Sequence, residues 1–158
     1  MTASIHRISF SEVKTILEQV LGLPKGDSFD LIPSQIHRKA LDSDIVLQWK
    51  VLDNWLDFEN GDIELSDSFL IESIFHKIQP KGPVYIVTDE CFSERLAYVI
   101  ESSNLDKFVS EVYHEIHQIE FFQPMDYIFL CPEIQLLSML HHEGQVTQYQ
   151  NHHLLGES

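Results

Sequence analysis

One stretch of the chain, residues 111–117, spaces glutamate and histidine as a metal site could. Glu111 and His114 stand three residues apart, and His117 follows after another three. A Glu-x-x-His pair on one helix is half of the carboxylate centre that binds two metal ions inside helical bundles. The chain has one such pair, and it lacks the His-Glu-x-x-His spacing of zinc proteases. We therefore expect a solvated polar helix face, with no bound metal or other cofactor.

Two other groups place reactive side chains next to each other. Asp89 and Glu90 follow a predicted strand, where carboxylates gather in open α/β sheets. Because we expect an antiparallel sheet, a solvated turn is the favoured interpretation. His141 and His142 stand at a predicted strand end, where neighbouring residues point to opposite faces. The two imidazoles are therefore not expected to converge on one ion.

The chain carries no motif for nucleophilic catalysis or phosphate binding. Cys91 and Cys131 lie far apart without Cys-x-x-Cys spacing, so we expect two buried free thiols in a reduced compartment. No phosphate-binding glycine pattern occurs. No segment approaches the ~20 apolar residues of a membrane span. We therefore expect a cytoplasmic protein that is not an enzyme and binds no membrane.

The negative charge of the chain is concentrated in tracts. The formal net charge is -15, and residues 51–76 and 108–158 contain no lysine or arginine. A negative electrostatic field attracts positively charged partners and repels nucleic acid, which is itself negative. Ordinary solvated faces would also produce such tracts. The aromatic residues among the acids favour a protein interface, where aromatics act as anchors and charges set the association rate.

Two patches are the candidate binding sites for a basic protein partner. They combine carboxylates from both acidic tracts with one tryptophan as the aromatic anchor. The first patch comprises Asp53, Trp55, Asp57, Glu59, Asp62, Glu64 and Glu72, and the second comprises Glu111, Glu115 and Glu120.

Apolar periodicity predicts three helices in the first half of the chain. They run from Ser9 to about Gly22, from Asp42 or Ser43 to about Gly61, and from Ser66 or Asp67 to about Gln79. The first begins with a capping box, in which Ser9 is followed three residues later by Glu12. Residues 25–34 are rich in turn residues and predict a loop.

The second half predicts strands instead. Short β-branched and aromatic runs indicate strands at 84–87, 96–100, 127–131, 134–141 and 146–149, and a 3.6-residue apolar stripe predicts a helix over 104–116. The gaps between the last three strands are too short for parallel crossovers. We therefore expect an α+β domain in which N-terminal helices precede a mainly antiparallel sheet of about five strands with one inserted helix. One domain would span 1–158, with a helical part to about 80, a strand-rich part over about 81–150 and a tail at 151–158.

In size, acidity, aromatic content and order of elements, the chain resembles the small acidic immunity proteins of bacterial contact-dependent and polymorphic toxin systems. The strand segments that carry this likeness run from Val84 to Glu90 and from Asp126 to Pro132. The resemblance implies an inhibitor that covers the active site of a cognate basic toxin, commonly a nuclease. It would act as a monomer or weak dimer and bind no nucleic acid itself.

Two other functional classes stay open at this point. An acidic secretion chaperone or adaptor would bind an unfolded segment through an apolar groove. A small metal-dependent hydrolase would use Glu111, His114 and His141. High salt should weaken charge-driven binding to a toxin more than groove binding to an unfolded segment.

Overall fold

A single antiparallel sheet organises the chain. The computed structural model describes residues 6–26, 28–41, 46–52, 63 and 65–150, with residues 41 and 46–49 described by their backbone alone. Its seven strands have the order β1-β4-β3-β5-β6-β7-β2. The strands are β1 (His6–Ser9), β2 (Val46–Val51), β3 (Pro83–Thr88), β4 (Leu96–Glu101), β5 (Tyr127–Cys131), β6 (Leu136–Leu140) and β7 (Gln145–Gln150). All six neighbouring pairs are antiparallel.

The helices form a layer on each face of this sheet. They are α1 (Phe10–Leu21), α2 (Pro33–Leu41), α3 (Asp67–Ile74), α4 (Leu105–Lys107) and α5 (Tyr113–His117), and a π-helical segment (Phe108–Val112) joins the last two. Residues 105–117 are thus one continuous helical stretch, called here the 105–117 helix. None of the helices in the described part of the chain has the length and apolar composition that crossing a bilayer requires.

Strand register assigns α2, α3 and the 105–117 helix to the two faces of the sheet. Tyr98, Ile86 and Phe129 lie side by side across β4, β3 and β5, so they share one face of the sheet. Phe75, which follows α3, and Phe108 of the 105–117 helix pack against this face. On the opposite face, Tyr149 of β7 contacts His37 of α2. Helix α1 lies beside the segment that leads into α2, because Phe10 and Lys14 line one cavity with Phe29 and Leu31. Every residue of β5 and β6 is buried, as expected for strands covered on both sides.

Both ends of α1 follow the signals in the sequence. Ser9 Oγ accepts a hydrogen bond from the backbone N–H of Glu12 at 3.3 Å. Gly22 ends the helix with a φ of 69°, a left-handed conformation that glycine adopts without a Cβ penalty. The α+β class and the antiparallel meander formed by β5, β6 and β7 are confirmed as well.

Four elements in the first half of the chain differ from the prediction. The helix predicted from residue 42 to 61 is wrong at Val46–Val51, which is edge strand β2 paired with β7; the rest of that prediction lies outside the described residues. Strand β1 and helix α2 were not predicted. The sheet therefore has seven strands rather than about five, and both of its edges come from the half that was predicted to be helical.

The third predicted helix is also shorter than expected, because α3 ends at Ile74 rather than near Gln79. Beyond it, polar groups bond to the sheet instead of continuing the helix. The backbone N–H of Lys77 donates to Gln148 Oε1 at 3.0 Å, and Gln148 Nε2 donates to the carbonyl of Ile78 at 3.2 Å. Gln148 of β7 thus holds the segment that follows α3.

Candidate interaction surface

The two helical layers differ strongly in charge. Helices α1 and α2 together contain two acidic and three basic residues, whereas α3 and the 105–117 helix contain five acidic residues and one lysine. Glu120, which follows that helix, is a further exposed acid. We call this set of carboxylates the acidic face; it comprises Asp67, Glu72, Asp106, Glu111, Glu115 and Glu120. The net negative charge of the described helices therefore lies on one side of the sheet.

The acidic face is formed by two helices that run antiparallel. At one end, Glu120 lies close enough to Asp67 to act on its carboxyl: partial burial raises the pKa of Asp67, and the charge of Glu120 raises it further. At the other end, Glu72 of α3 and Asp106 of the 105–117 helix line the same groove. Carboxylates that lie 30 or more residues apart in the sequence are thus neighbours.

Exposed apolar side chains occur on the same elements. Phe69 of α3 is 41% exposed, Ile116 of α5 is 43% exposed, and Ile119 in the following loop is 51% exposed. The ammonium group of Lys50 lies 5.4 Å from the centre of the Phe69 ring and donates to Ser73 Oγ at 3.3 Å. Aromatic and aliphatic groups surrounded by charge are typical of protein interfaces.

The π-helical segment explains why Ile116 faces solvent. The N–H of Tyr113 bonds to the carbonyl of Phe108, five residues earlier, so one extra residue enters the turn. Phe108 and Tyr113 consequently both face Tyr98 of the sheet, with ring centres 5.4 and 6.1 Å from the Tyr98 ring. The predicted apolar stripe placed Ile116 on the buried side of the helix. The extra residue shifts the following positions by one, so that Ile116 faces solvent and His117 faces the sheet.

A polar cluster fixes the 105–117 helix to the sheet. The buried Tyr98 hydroxyl donates to Glu90 Oε1 at 2.5 Å and lies 3.2 Å from Nε2 of His117. The His117 ring packs on Tyr113 with centres 4.2 Å apart. Burial raises the pKa of Tyr98, and its hydrogen bond to Glu90 raises it further, so the hydroxyl stays protonated. Glu90, expected in a solvated turn, is instead half-buried and anchors the helix.

Tyr127 fixes the loop that carries Ile119 and Glu120. Its hydroxyl, on a fully buried side chain, donates to the carbonyl of Phe121 at 2.6 Å and accepts from the N–H of Gln123 at 2.6 Å. The same ring packs against Phe121 and Phe122, with centres 5.2 and 5.3 Å away. The end of the acidic face is therefore held by a hydrogen-bonded aromatic core.

A groove of about 410 Å³ separates α3 from the start of the 105–117 helix. Apolar and polar residues from both elements contribute to its walls. It is lined by Ile71, Glu72, Gln79, Pro80, Ser102, Ser103, Leu105 and Asp106. These residues include two carboxylates and no basic group, so the groove has a negative rim.

The structure describes only part of the predicted interaction site. In the first patch, Asp53, Trp55, Asp57, Glu59, Asp62 and Glu64 lie outside the described residues, and Glu72 is exposed on α3. The second patch, Glu111, Glu115 and Glu120, is exposed throughout. Glu72 and the second patch, predicted as separate sites, lie on one layer of the fold.

Several of the aromatic residues that stand among the acids in the sequence are core residues. Tyr113, Phe121, Phe122 and Tyr127 are at most 4% exposed. They pack on each other and on the sheet, so that among the described residues Phe69 is the exposed aromatic beside the acidic face. Sequence alone could not distinguish core aromatics from exposed ones, because aromatic residues of both kinds stand next to acidic residues.

The histidines and carboxylates of the metal hypothesis do not converge. Glu111 and His114 are exposed on the 105–117 helix, whereas His141 lies near His37 of α2 in the other layer. Burial lowers the pKa of His141, and the neighbouring charge of Asp126 opposes this effect. Within the described ranges, no group of three or more His, Cys, Asp and Glu side chains could hold a metal ion.

A separate acidic pair lies at the sheet end between β3 and β5. His142 donates its backbone N–H to Asp126 Oδ1 at 2.8 Å, and its Nδ1 lies 3.0 Å from the same oxygen. Partial burial raises the pKa of Asp89, and the charge of Asp126 adds to this effect. His142 and Asp126 thus bond to each other, and Asp89 lies beside them.

Sequence reasoning missed Asp67 and Asp106 as members of the acidic face. Each stands in the first turn of a helix, where a carboxylate complements the helix dipole, so the sequence indicated a helix start at these residues but not their common surface. No protein-family model matches this chain, and no curated protein or solved structure is significantly similar to it.

Proposed function

We propose that this chain is an inhibitor that binds a basic toxin domain through the acidic face, in the manner of a bacterial immunity protein. The observation that carries the proposal is the charge asymmetry between the helical layers: five acids and one lysine on α3 and the 105–117 helix, against two acids and three basic residues on α1 and α2. The proposal places the protein in the cytoplasm, with no catalytic role of its own.

The acidic face suits a partner that normally binds nucleic acid. A nuclease neutralises phosphates with lysine and arginine, so its active-site surface is basic. A set of carboxylates on a rigid helical layer offers the same surface a substitute for the phosphates. Complementary fields of this kind raise association rates by about 10–1000-fold, and they weaken steeply with salt.

The exposed apolar side chains supply the slow dissociation that charged groups alone do not provide. Exposed ion pairs contribute about 0–1 kcal/mol each, because water and salt screen them. Buried apolar anchors contribute more, and they mainly slow dissociation. Phe69, Ile116 and Ile119 are therefore expected to set the lifetime of the complex, while the carboxylates set its rate of formation.

The test is isolation of a complex from the cells that make the chain, at low salt, followed by inhibition assays. The retained protein is purified, its toxic or nuclease activity is measured, and the chain is added in increasing amounts. We expect a basic domain whose activity disappears near a 1:1 ratio. A retained protein that keeps full activity with excess chain would contradict the proposal.

Charge reversal at matched positions identifies the surface. Glu115→Lys lies on the acidic face, and Glu12→Lys lies on α1 in the other layer; both glutamates are exposed and both changes alter the net charge equally. We expect Glu115→Lys to slow association several-fold at low salt and Glu12→Lys to change it less than twofold, as measured by stopped-flow fluorescence. Equal effects would show that total charge, not the acidic face, controls binding.

The secretion-chaperone alternative predicts a different salt response. Binding of an unfolded segment in an apolar groove would persist at high salt, because apolar burial is not screened by ions. The groove between α3 and the 105–117 helix has two carboxylates among its lining residues, which favours a charged partner. Loss of the complex between 0.05 and 0.5 M salt, roughly a threefold fall in Debye length, supports the inhibitor.

A further inference from the structure

We propose that the groove between α3 and the 105–117 helix is an anchor pocket for a single lysine or arginine side chain of the partner. This inference rests on the proposed function, since it names the chemical group that the acidic face recognises.

The walls fit the aliphatic stem of a long cationic side chain. Leu105 is buried at the base of the 105–117 helix, and Ile71 and Pro80 are half-buried beside it. Lysine and arginine carry three or four methylene groups that pack on apolar surface while the charged head stays near water. A volume of about 410 Å³ has room for such a side chain and its adjoining backbone.

The rim supplies acceptors for the charged head. Glu72 and Asp106 approach from the two helices, both are exposed, and neither forms an ion pair among the described residues. Gln79 donates its side-chain amide to the carbonyl of Phe75 at 3.3 Å, which leaves its side-chain oxygen as an acceptor. A guanidinium has five N–H donors in a planar fork that matches carboxylate geometry.

The same groups select against other ligands. A phosphate or carboxylate would be repelled by the two acids, and the lining residues include no lysine, arginine or histidine to compensate. A purely apolar side chain would leave Glu72 and Asp106 next to it with reduced hydration, which costs free energy. A cationic side chain with an aliphatic stem can pack against the apolar walls and pair with the carboxylates at the rim.

The direct test uses a small probe rather than the partner. N-acetyl-arginine amide is titrated into ¹⁵N-labelled protein, with the uncharged isostere N-acetyl-citrulline amide as the matched probe. We expect saturable shifts in the backbone amides of Ile71, Glu72, Ser103 and Asp106 with arginine and at least fivefold weaker binding with citrulline. Equal shifts with both probes, or no saturation at these amides, would overturn the proposal.

Paired variants separate the groove from the rest of the acidic face. The double variant Glu72→Gln with Asp106→Asn should weaken arginine binding at least fivefold. Glu111→Gln with Glu115→Gln removes the same charge from the same layer and should weaken it less than twofold. If the two double variants weaken binding equally, a diffuse field rather than the groove holds the probe.

The two proposals fail in distinguishable ways. Arginine binding in the groove, together with a purified basic partner that the chain does not inhibit, would refute the inhibitor role alone. An inhibitory complex that is unaffected by the Glu72→Gln and Asp106→Asn changes would refute the anchor pocket alone. Circular dichroism of each variant establishes that the fold is retained, as expected for isosteric changes at exposed positions.

Discussion

Tyr127 offers the sharpest test of how the acidic face is held in place. The substitution Tyr127→Phe keeps the ring that packs on Phe121 and removes only the hydroxyl. It leaves the carbonyl of Phe121 and the N–H of Gln123 without the partner they each contact at 2.6 Å. Because the rest of the core is unchanged, any loss of stability reports these two hydrogen bonds.

The expected loss follows from the burial of the two backbone groups. An unsatisfied buried polar group costs about 1–3 kcal/mol. Phe121 is 1% exposed, whereas Gln123 is half-buried and water recovers part of its hydrogen bond. We therefore expect Tyr127→Phe to lower the free energy of unfolding by about 2–4 kcal/mol. For a chain of this size, each kcal/mol shifts the Tm by about 2–4 °C, so the Tm should fall by roughly 5–15 °C.

The measurement is urea and thermal unfolding followed by circular dichroism, with Tyr85→Phe as the control. Tyr85 is half-buried on β3, and its hydroxyl forms no hydrogen bond among the described residues. The control should change stability by less than about 0.5 kcal/mol. Hydrogen exchange at residues 118–123 should also accelerate in Tyr127→Phe. Equal stabilities of the two variants, with unchanged exchange, would refute the assigned role of Tyr127.

Two other predictions follow from groups whose pKa is shifted. Burial raises the pKa of the Cys131 thiol to about 12, so Ellman's reagent at pH 8 should leave it unmodified in the native protein and react fully in denaturant; rapid native reaction would contradict its burial. The hydrogen bond to Asp126, with its charge, raises the pKa of His142, so the protonated imidazole stabilises the fold at low pH and this contribution disappears as pH rises through the raised pKa. An NMR titration of His142 should show the raised value in the native protein and its return towards the ordinary value in Asp126→Asn.

The elements that the sequence predicted well are those with local signals. Helix α1 has a serine cap and a glycine stop, and strands β3 to β7 are β-branched or aromatic runs between turns. In each case, neighbouring residues determine the structure. Both buried cysteines are also free, as their spacing indicated.

The elements that were missed depend on distant partners. In Val46–Val51, apolar residues fit both a helical spacing and a strand alternation, and pairing with β7 decides for the strand. Strand β1 has four residues and no apolar run, so it forms through its pairing with β4. Helix α2 begins at Pro33, a residue that also ends helices and marks turns. The π-helical segment, in which Phe108 packs against Tyr98, similarly leaves no mark in the apolar pattern.

The fold also changes what the net charge of -15 means for association. Helices packed on both faces of a sheet, at about 10 Å per layer, have axes about 20 Å apart. This separation exceeds the Debye length of about 8 Å at physiological salt, so exposed charges in one layer are largely screened from the other. Among the described helices, α1 and α2 present nearly balanced charge, whereas α3 and the 105–117 helix present the acidic face. The proposed binding of a basic partner should therefore depend on which helical layer the partner approaches, rather than on the total charge of the chain.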